Sequence, residues 1–95
     1  MNEQNAGEAS FILHRLSFTL APNPATTQVL VKVEGLGENG GEITVFDAQG
    51  HVVRQQSKVL SPTSNINVAD LPAGLYFVTL RSAGTVVTKR LVKAE

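Results

Sequence analysis

The sequence predicts an all-β fold, a seven-stranded antiparallel β-sandwich of immunoglobulin-like architecture. Apolar and polar residues alternate in several short runs, turn-forming residues separate these runs, and no run has helical periodicity. The 95 residues allow one domain. Because the sequence has neither cysteine nor tryptophan, it lacks the Cys…Trp…Cys pattern of antibody domains and cannot form a disulfide or a thiolate metal site.

The first two predicted strands lie on either side of a proline-rich segment. Residues 16–20 alternate between apolar and polar side chains, which predicts a strand with one buried face. Pro22, Asn23 and Pro24 end this strand, because proline has no N–H to donate and restricts the residue before it. Residues 29–34 alternate again and form the second predicted strand.

The third, fourth and fifth predicted strands are short. Residues 43–47 form the third, and Asp47 and Gly50 then form a turn. An aspartate at this position accepts hydrogen bonds from nearby backbone amides, and glycine adopts positive φ readily. The fourth strand begins at residue 52 and ends in a polar stretch, and the fifth covers residues 66–68.

The last two predicted strands, residues 75–81 and 85–92, form a hairpin. Asp70 begins the turn before them and is expected to bond backbone amides, as Asp47 does. The sixth strand has apolar residues on both faces and is therefore predicted to be central in its sheet. The seventh mixes apolar residues with cations, as expected of an edge strand protected against further pairing.

The aromatic residues are predicted to lie in the core. Four phenylalanines occupy alternating strand positions, and the sequence has one tyrosine. The hydroxyl of Tyr76 is expected to reach a backbone acceptor near the preceding turn, because buried tyrosines usually find such a partner.

The charge is unevenly distributed although the formal net charge is zero. Residues 1–50 carry six acidic and two basic side chains, and residues 51–95 carry six basic and two acidic ones. Either the two halves attract each other across the sheets, or the basic terminal strand is a docking surface. Alternation places Lys89 and Lys93 on one face of this strand and Arg90 on the other. These cations either keep the edge from pairing or are captured by another protein.

Other motifs do not support catalysis or cofactor binding. Residues 35–40 match G-x-G-x-x-G, but a predicted strand follows where a dinucleotide site needs a helix, so a loop is predicted. His14 and His51 are far apart and have no cysteine or histidine cluster around them, which argues against a zinc site. Zero net charge argues against nucleic-acid binding. No enzyme activity, metal or cofactor is predicted.

Four sequence elements resemble those of the C-terminal sorting domain (type A) of the type IX secretion system, found on exported proteins of Bacteroidetes-type bacteria. The elements are the Pro-Asn-Pro segment, residues 45–50, the Leu-x-x-Gly-x-Tyr element at 71–76, and the basic terminus at 89–93. They occur in the family's order, and the resemblance covers residues 18–93. The residues singled out for recognition are Gly74, Tyr76, Lys89, Arg90, Leu91, Val92 and Lys93. Those assigned to structural turns are Pro22, Asn23, Pro24, Asp47, Gly50 and Leu71.

The resemblance implies that the chain is a signal and not a catalyst. Residues 16–95 would be the sorting domain, and residues 1–15 a flexible linker or a remnant of excision from a longer protein. A cargo protein attached at the N-terminus would be carried through the periplasm and recognised by the outer-membrane type IX translocon. It would reach the cell surface or the medium. A sortase-like peptidase would remove the domain in many members by cleaving within residues 1–16.

Other functions and assemblies stay open from the residues alone. A binding or adhesive sandwich, with a carbohydrate or protein partner, would expose an aromatic row or a large apolar patch on one sheet. A passive spacer would tolerate deletion of the terminal strand. A homodimer through strand pairing or swapping is a further option, because edge strands pair readily.

Overall fold

The computed structural model describes residues 15–95, and these form seven β-strands. In chain order they are β1 (Ser17–Ala21), β2 (Gln28–Glu34), β3 (Gly41–Asp47), β4 (Val52–Val59), β5 (Thr63–Asn67), β6 (Gly74–Ser82) and β7 (Thr85–Lys93). Residues 15–95 contain no helix that is long and apolar enough to cross a membrane. The predicted all-β class is confirmed. The expectations for His14 and for residues 1–14 of the linker lie outside the described residues.

The strands form two antiparallel sheets that enclose the core as a sandwich. One sheet has the order β1-β2-β5, and the other has the order β4-β3-β6-β7. β6 pairs with both β3 and β7, so it is central, and β7 forms the edge of its sheet. Both positions agree with the sequence prediction.

The core is made from one face of each sheet. Val29, Val31 and Val33 of β2 are at most 5% exposed, and Leu80 of β6 and Leu91 of β7 are fully buried. Burying one such side chain stabilises the fold by roughly 1.5–3 kcal/mol. If the pairing of a strand shifted by one residue, all of its buried apolar side chains would turn toward solvent. The alternation of apolar residues therefore fixes the register of the strands.

Two phenylalanines lie outside this core, contrary to the prediction. Phe18 is 1% exposed and packs in the core, but Phe46 and Phe77 are only partly buried. Their strand neighbours Val45 and Val78 are fully buried and point inward. Because successive side chains alternate between the faces of a strand, both phenylalanines lie on the outer face of the four-stranded sheet.

β4 and β5 are longer than the alternation predicts. β4 continues through polar residues to Val59, which is buried and pairs with Gly41. β5 begins at Thr63, which pairs with Lys32 of β2. The bonds of a sheet join backbone groups, so an edge strand can continue where apolar side chains stop.

The turn after β5 differs from the prediction. Asp70 does not bond its own turn among the described contacts; its carboxylate pairs with the guanidinium of Arg54 on β4. Asn67 makes the turn bond instead, because its Oδ1 accepts from Ala69 N at 2.9 Å. Arg54 Nε also donates to Asn67 O at 2.9 Å, which joins the edges of the two sheets. Arg54 and Asp70 both belong to the basic half of the chain, so this ion pair does not join the two halves.

The N-terminal strand begins at one end of the sandwich and the C-terminal strand finishes at the other. Ala25, just after β1, forms a parallel bridge with Lys93 at the end of β7. Ser17 therefore lies near Thr85 and the β6–β7 hairpin, at an end that we name the linker pole. The end that contains Ala25 and Lys93 is named the motif pole. The nine residues of β7, at about 3.3 Å each, separate the two poles by roughly 27 Å.

Candidate recognition surface

The four sequence elements meet at the motif pole. The strand register places Gly74 beside Lys93 and Tyr76 beside Asp47, and Ala25 forms its bridge with Lys93. The Pro-Asn-Pro segment, the terminal strand, the Leu-x-x-Gly-x-Tyr element and the Asp47 turn therefore form one row across the end of the four-stranded sheet. Elements that are far apart in sequence become a single surface.

The Pro-Asn-Pro segment covers the last part of the β7 edge. Asn23 Nδ2 donates to Arg90 O at 3.0 Å, and Val92 N donates to Asn23 Oδ1 at 2.9 Å. The carboxamide thus takes the place of a peptide group in a neighbouring strand. Ala25 N donates to Val92 O at 2.9 Å, and Ala94 N donates to Ala25 O at 2.7 Å. We name residues 22–25 the strap. It occupies backbone groups that would otherwise accept another strand.

Two buried polar side chains hold the turn that begins at Leu71. Lys93 Nζ donates to Leu71 O at 3.0 Å, and the Tyr76 hydroxyl donates to Pro72 O at 2.6 Å. Lys93 and Tyr76 are only 6% and 5% exposed. The predicted backbone partner of Tyr76 is confirmed. A buried ammonium without such an acceptor would be costly, so Lys93 belongs to the structure of the turn.

The Asp47 turn is held as the sequence predicts. Asp47 Oδ1 accepts from Gln49 N at 3.0 Å and from His51 N at 2.8 Å, and its Oδ2 lies 3.2 Å from the His51 ring. The bond from the His51 backbone amide is the main reason that the pKa of Asp47 is lowered from its ordinary value. Gly50 closes the turn at a φ of 92°.

The G-x-G-x-x-G segment forms a loop that is tied to the four-stranded sheet, and His51 contacts Asp47. Ser82 Oγ accepts from Gly37 N at 2.9 Å and donates to Gly40 O at 2.7 Å, so the loop is tied to the end of β6. Gly41 then begins β3, where a dinucleotide site would need a helix. Within residues 15–95, no group of three or more His, Cys, Asp or Glu residues converges to hold a metal.

Residues 19–94 match the family model of the secretion system C-terminal sorting domain. The chain belongs to this family. It is also similar to karilysin of Tannerella forsythia, with 34% identity over 85 residues, which is 80% of this chain and 18% of the relative. The sorting domain thus spans less than a fifth of the length of this curated relative. The resemblance found in the sequence is confirmed.

A sorting domain of this family is an export signal. It directs a cargo attached at its N-terminus through the type IX secretion system to the cell surface or the extracellular space. The family is defined by sorting and not by catalysis.

The sorting domain exposes only part of its basic terminal strand. Lys89, Arg90 and Val92 are exposed, whereas Leu91 is fully buried and Lys93 is 6% exposed. The accessible side chains among the five recognition candidates of this strand are therefore Lys89, Arg90 and Val92. Alternation turns the side chains of Leu91 and Lys93 into the sandwich, where they support the core and the Leu71 turn. The recognition role of this strand stays a prediction.

Two of the predicted site residues, Gly50 and Gly74, are exposed glycines with positive φ. Gly74 is exposed at a φ of 150°, and an added Cβ would meet nothing within 4 Å. The same open surroundings are found at Gly50. Glycine is therefore favoured at these two positions by backbone conformation and not by lack of space.

Proposed function

We propose that this sorting domain is a folded, non-catalytic label that presents its motif pole to the type IX translocon while the cargo trails from the linker pole. The observation that carries the proposal is the placement of the four family elements together at the motif pole, the end of the sandwich opposite Ser17. A bulky N-terminal cargo leaves this pole uncovered. Arg90, three residues before Lys93, and its neighbour Lys89 in the middle of β7 are exposed and supply positive charge to steer a partner.

A reporter fusion tests this role. The reporter carries an N-terminal export signal and is joined to residues 1–95 in a type IX-competent cell. Lys89→Gln combined with Arg90→Gln is expected to reduce delivery to the surface or medium several-fold and to strand the reporter in the periplasm.

The matched control combines Lys58→Gln with Arg81→Gln. Both residues are exposed, and both lie near the linker pole, because Val59 pairs with Gly41 and Arg81 with Glu42. The control removes the same charge and should leave delivery unchanged. Equal delivery by the two double variants would contradict the assigned pole, and failure of the wild-type fusion would contradict the sorting role itself.

Deleting residues 89–95 is a weaker test. It removes Leu91 from the core and Lys93 from the Leu71 turn, and truncating a buried leucine alone costs about 2–5 kcal/mol. Loss of export after this deletion would report unfolding as much as lost recognition. The charge substitutions separate the two effects because Lys89 and Arg90 are exposed.

Removal by a sortase-like peptidase is the second part of the proposal. Leu16 is 8% exposed and Ser17 begins β1, so residues from Leu16 onward are held in the fold. Because a peptidase acts on accessible chain and not on residues held in a fold, we propose that cleavage falls before Leu16, within residues 1–15. The mass of the domain released into the medium measures the position. A product that begins beyond Ser17 would contradict the proposal.

A strand-mediated homodimer can form only at edges that the strap leaves free. Asn23 and Ala25 occupy the backbone groups of β7 at Arg90 and Val92. Among the described strands, the other edges are β1, β4 and β5. Light scattering of the purified domain over a range of concentrations measures whether a dimer forms.

The rival function, a binding or adhesive sandwich, gains support from one observation. Phe46, Phe77, Val52, Leu75 and Val92 give the outer face of the four-stranded sheet an apolar area near the motif pole. A carbohydrate-binding module would use such a surface. Binding of soluble glycans by the isolated domain, measured by calorimetry, would favour this function.

A further inference from the structure

An apolar row crosses the outer face of the four-stranded sheet. Phe46 pairs with Phe77, and the row continues to Val52 on one side and to Arg90 on the other. Val52 is 54% exposed, and the two phenylalanines are partly buried. Arg90 lies directly across from Phe77, where its guanidinium can stack on the aromatic ring.

A second pair enlarges this row toward the motif pole. Leu75 pairs with Val92, and they are 38% and 44% exposed. We name Phe46, Val52, Leu75, Phe77 and Val92 the outer apolar patch. The next row toward the linker pole is polar and contains Thr44, Thr79 and Thr88. The apolar residues are therefore concentrated beside the four family elements.

The fold does not require these residues to be apolar. The core is complete on the other face of β3 and β6, where Ile43, Val45, Val78 and Leu80 are fully buried. Two phenylalanines side by side on an outer face, with exposed leucine and valine around them, are typical of a surface that contacts another molecule.

We infer that the type IX translocon holds this domain through the outer apolar patch. The contacting surface of the translocon is apolar and bears a carboxylate opposite Arg90. This inference rests on the proposed function and names the contact within it. Charge complementarity gives the carboxylate, because Arg90 is the cation that ends the Phe46–Phe77 row.

The size of the patch favours a translocon over a second copy of the domain. Its exposed apolar surface is on the order of 300 Å², whereas a stable dimer buries about 800 Å² on each partner. A small contact suits a signal that must be released after export.

The strap explains why the contact uses a face and not a strand edge. Asn23 and Ala25 already bond the β7 backbone at this pole. Strand addition there would first have to displace them. The outer face stays accessible beside the strap, and side-chain packing supplies the affinity.

Matched substitutions on one face of the sheet test the inference. The double variant Leu75→Thr and Val92→Thr removes apolar surface from the patch and keeps residues suited to strands. Val86→Thr is the control, because Val86 lies on the same face of β7, is 51% exposed, and sits at the linker pole. Binding of each purified domain, residues 1–95, to the detergent-purified translocon is measured by surface plasmon resonance. The double variant should bind at least tenfold more weakly, and the control should stay within twofold of wild type.

Arg90 gives a second test, which probes the charge of the surface and not its apolar area. Arg90→Glu should abolish measurable binding, whereas Arg90→Lys should retain most of it. Wild-type affinity for both Leu75→Thr/Val92→Thr and Arg90→Glu would overturn the inference, while binding of the wild-type domain would still support the proposed function. Loss of all binding by the wild-type domain would contradict both.

Two further outcomes would assign the patch to another occupant. A dimer in light scattering that Leu75→Thr/Val92→Thr dissolves would show that a second copy covers it. Glycan binding that Phe77→Thr abolishes would show a carbohydrate surface. Either result overturns the inference.

Discussion

The carboxamide of Asn23 offers the sharpest test of the motif pole. It donates to Arg90 O at 3.0 Å and accepts from Val92 N at 2.9 Å, and together these bonds replace a neighbouring strand. Asn23→Ala removes both bonds and leaves the backbone on either side unchanged. The perturbation is therefore confined to the edge of β7.

The size of the effect follows from the two bonds. Each contributes about 1 kcal/mol, and because Asn23 is exposed, water replaces part of the loss. The expected decrease in the free energy of unfolding is about 1–2 kcal/mol. For a domain of this length, that lowers the Tm by roughly 5–15 °C.

Hydrogen exchange locates the effect at one amide. Val92 N is bonded to Asn23, whereas the backbone of Leu91 faces β6, because the bonding direction alternates along a strand. Asn23→Ala should accelerate exchange of the Val92 amide about tenfold or more, beyond any change at Leu91. Asn39→Ala, in the exposed loop before β3, is the control and should change neither amide. An unchanged Tm together with unchanged exchange at Val92 would refute the role assigned to the strap.

Three further perturbations probe the turns. Asp47→Asn keeps an acceptor for the turn amides but cannot titrate. Because the pKa of Asp47 is lowered in the folded state, the free energy of unfolding of wild type should fall relative to that of the variant as the pH falls through that pKa. A constant difference between the two free energies of unfolding from pH 5 to pH 2 would contradict this. Gly40→Ala places a Cβ in collision with the backbone oxygen of Val59, so we expect it to destabilise the domain by more than about 2 kcal/mol, against about 1 kcal/mol for Gly50→Ala, whose surroundings are open. Urea unfolding compares the two variants, and equal costs would disprove the steric account. Tyr76→Phe should cost about 1–1.5 kcal/mol in the same measurement through the lost hydroxyl bond, and a neutral effect would show that this bond does not stabilise the turn.

The sequence predicted the strands well where one face is buried. In β2 the three valines alternate with Leu30, Lys32 and Glu34, and only the valines are fully or nearly fully buried. The pattern sufficed because burial of alternate residues fixes both the strand and its register. It was insufficient for β4, which is an edge strand. The polar residues in the middle of β4 continue its backbone pairing with β3, and a side-chain pattern does not reveal backbone pairing.

The aromatic residues show a different limit. Phe46 and Phe77 look like core residues because they are large and apolar and sit in strands. Their neighbours Val45 and Val78 share the same alternation and are fully buried, so one of the two sets had to point outward. Which set packs inward is decided by the opposite sheet, which sequence alone does not show.

The terminal strand illustrates the same limit at the candidate site. Alternation correctly separated Lys89 and Lys93 from Arg90, but it could not show that Lys93 is buried while Lys89 is exposed. That difference arises because the Leu71 turn covers Lys93 and offers it a carbonyl oxygen. The matching donor–acceptor pair lies 22 residues apart in the chain.

The amino-acid sequence by itself determined the all-β class, the central position of β6 and the edge position of β7, the Asp47 and Tyr76 turn contacts, and the family to which the chain belongs. These properties depend on residues close in sequence or on motifs read in order. The tertiary structure alone decided that the four elements meet at one pole, that Asn23 covers the β7 edge, and that an apolar patch lies on the outer face. Each of these depends on backbone groups or side chains brought together from distant strands, and such contacts leave no local pattern in the chain.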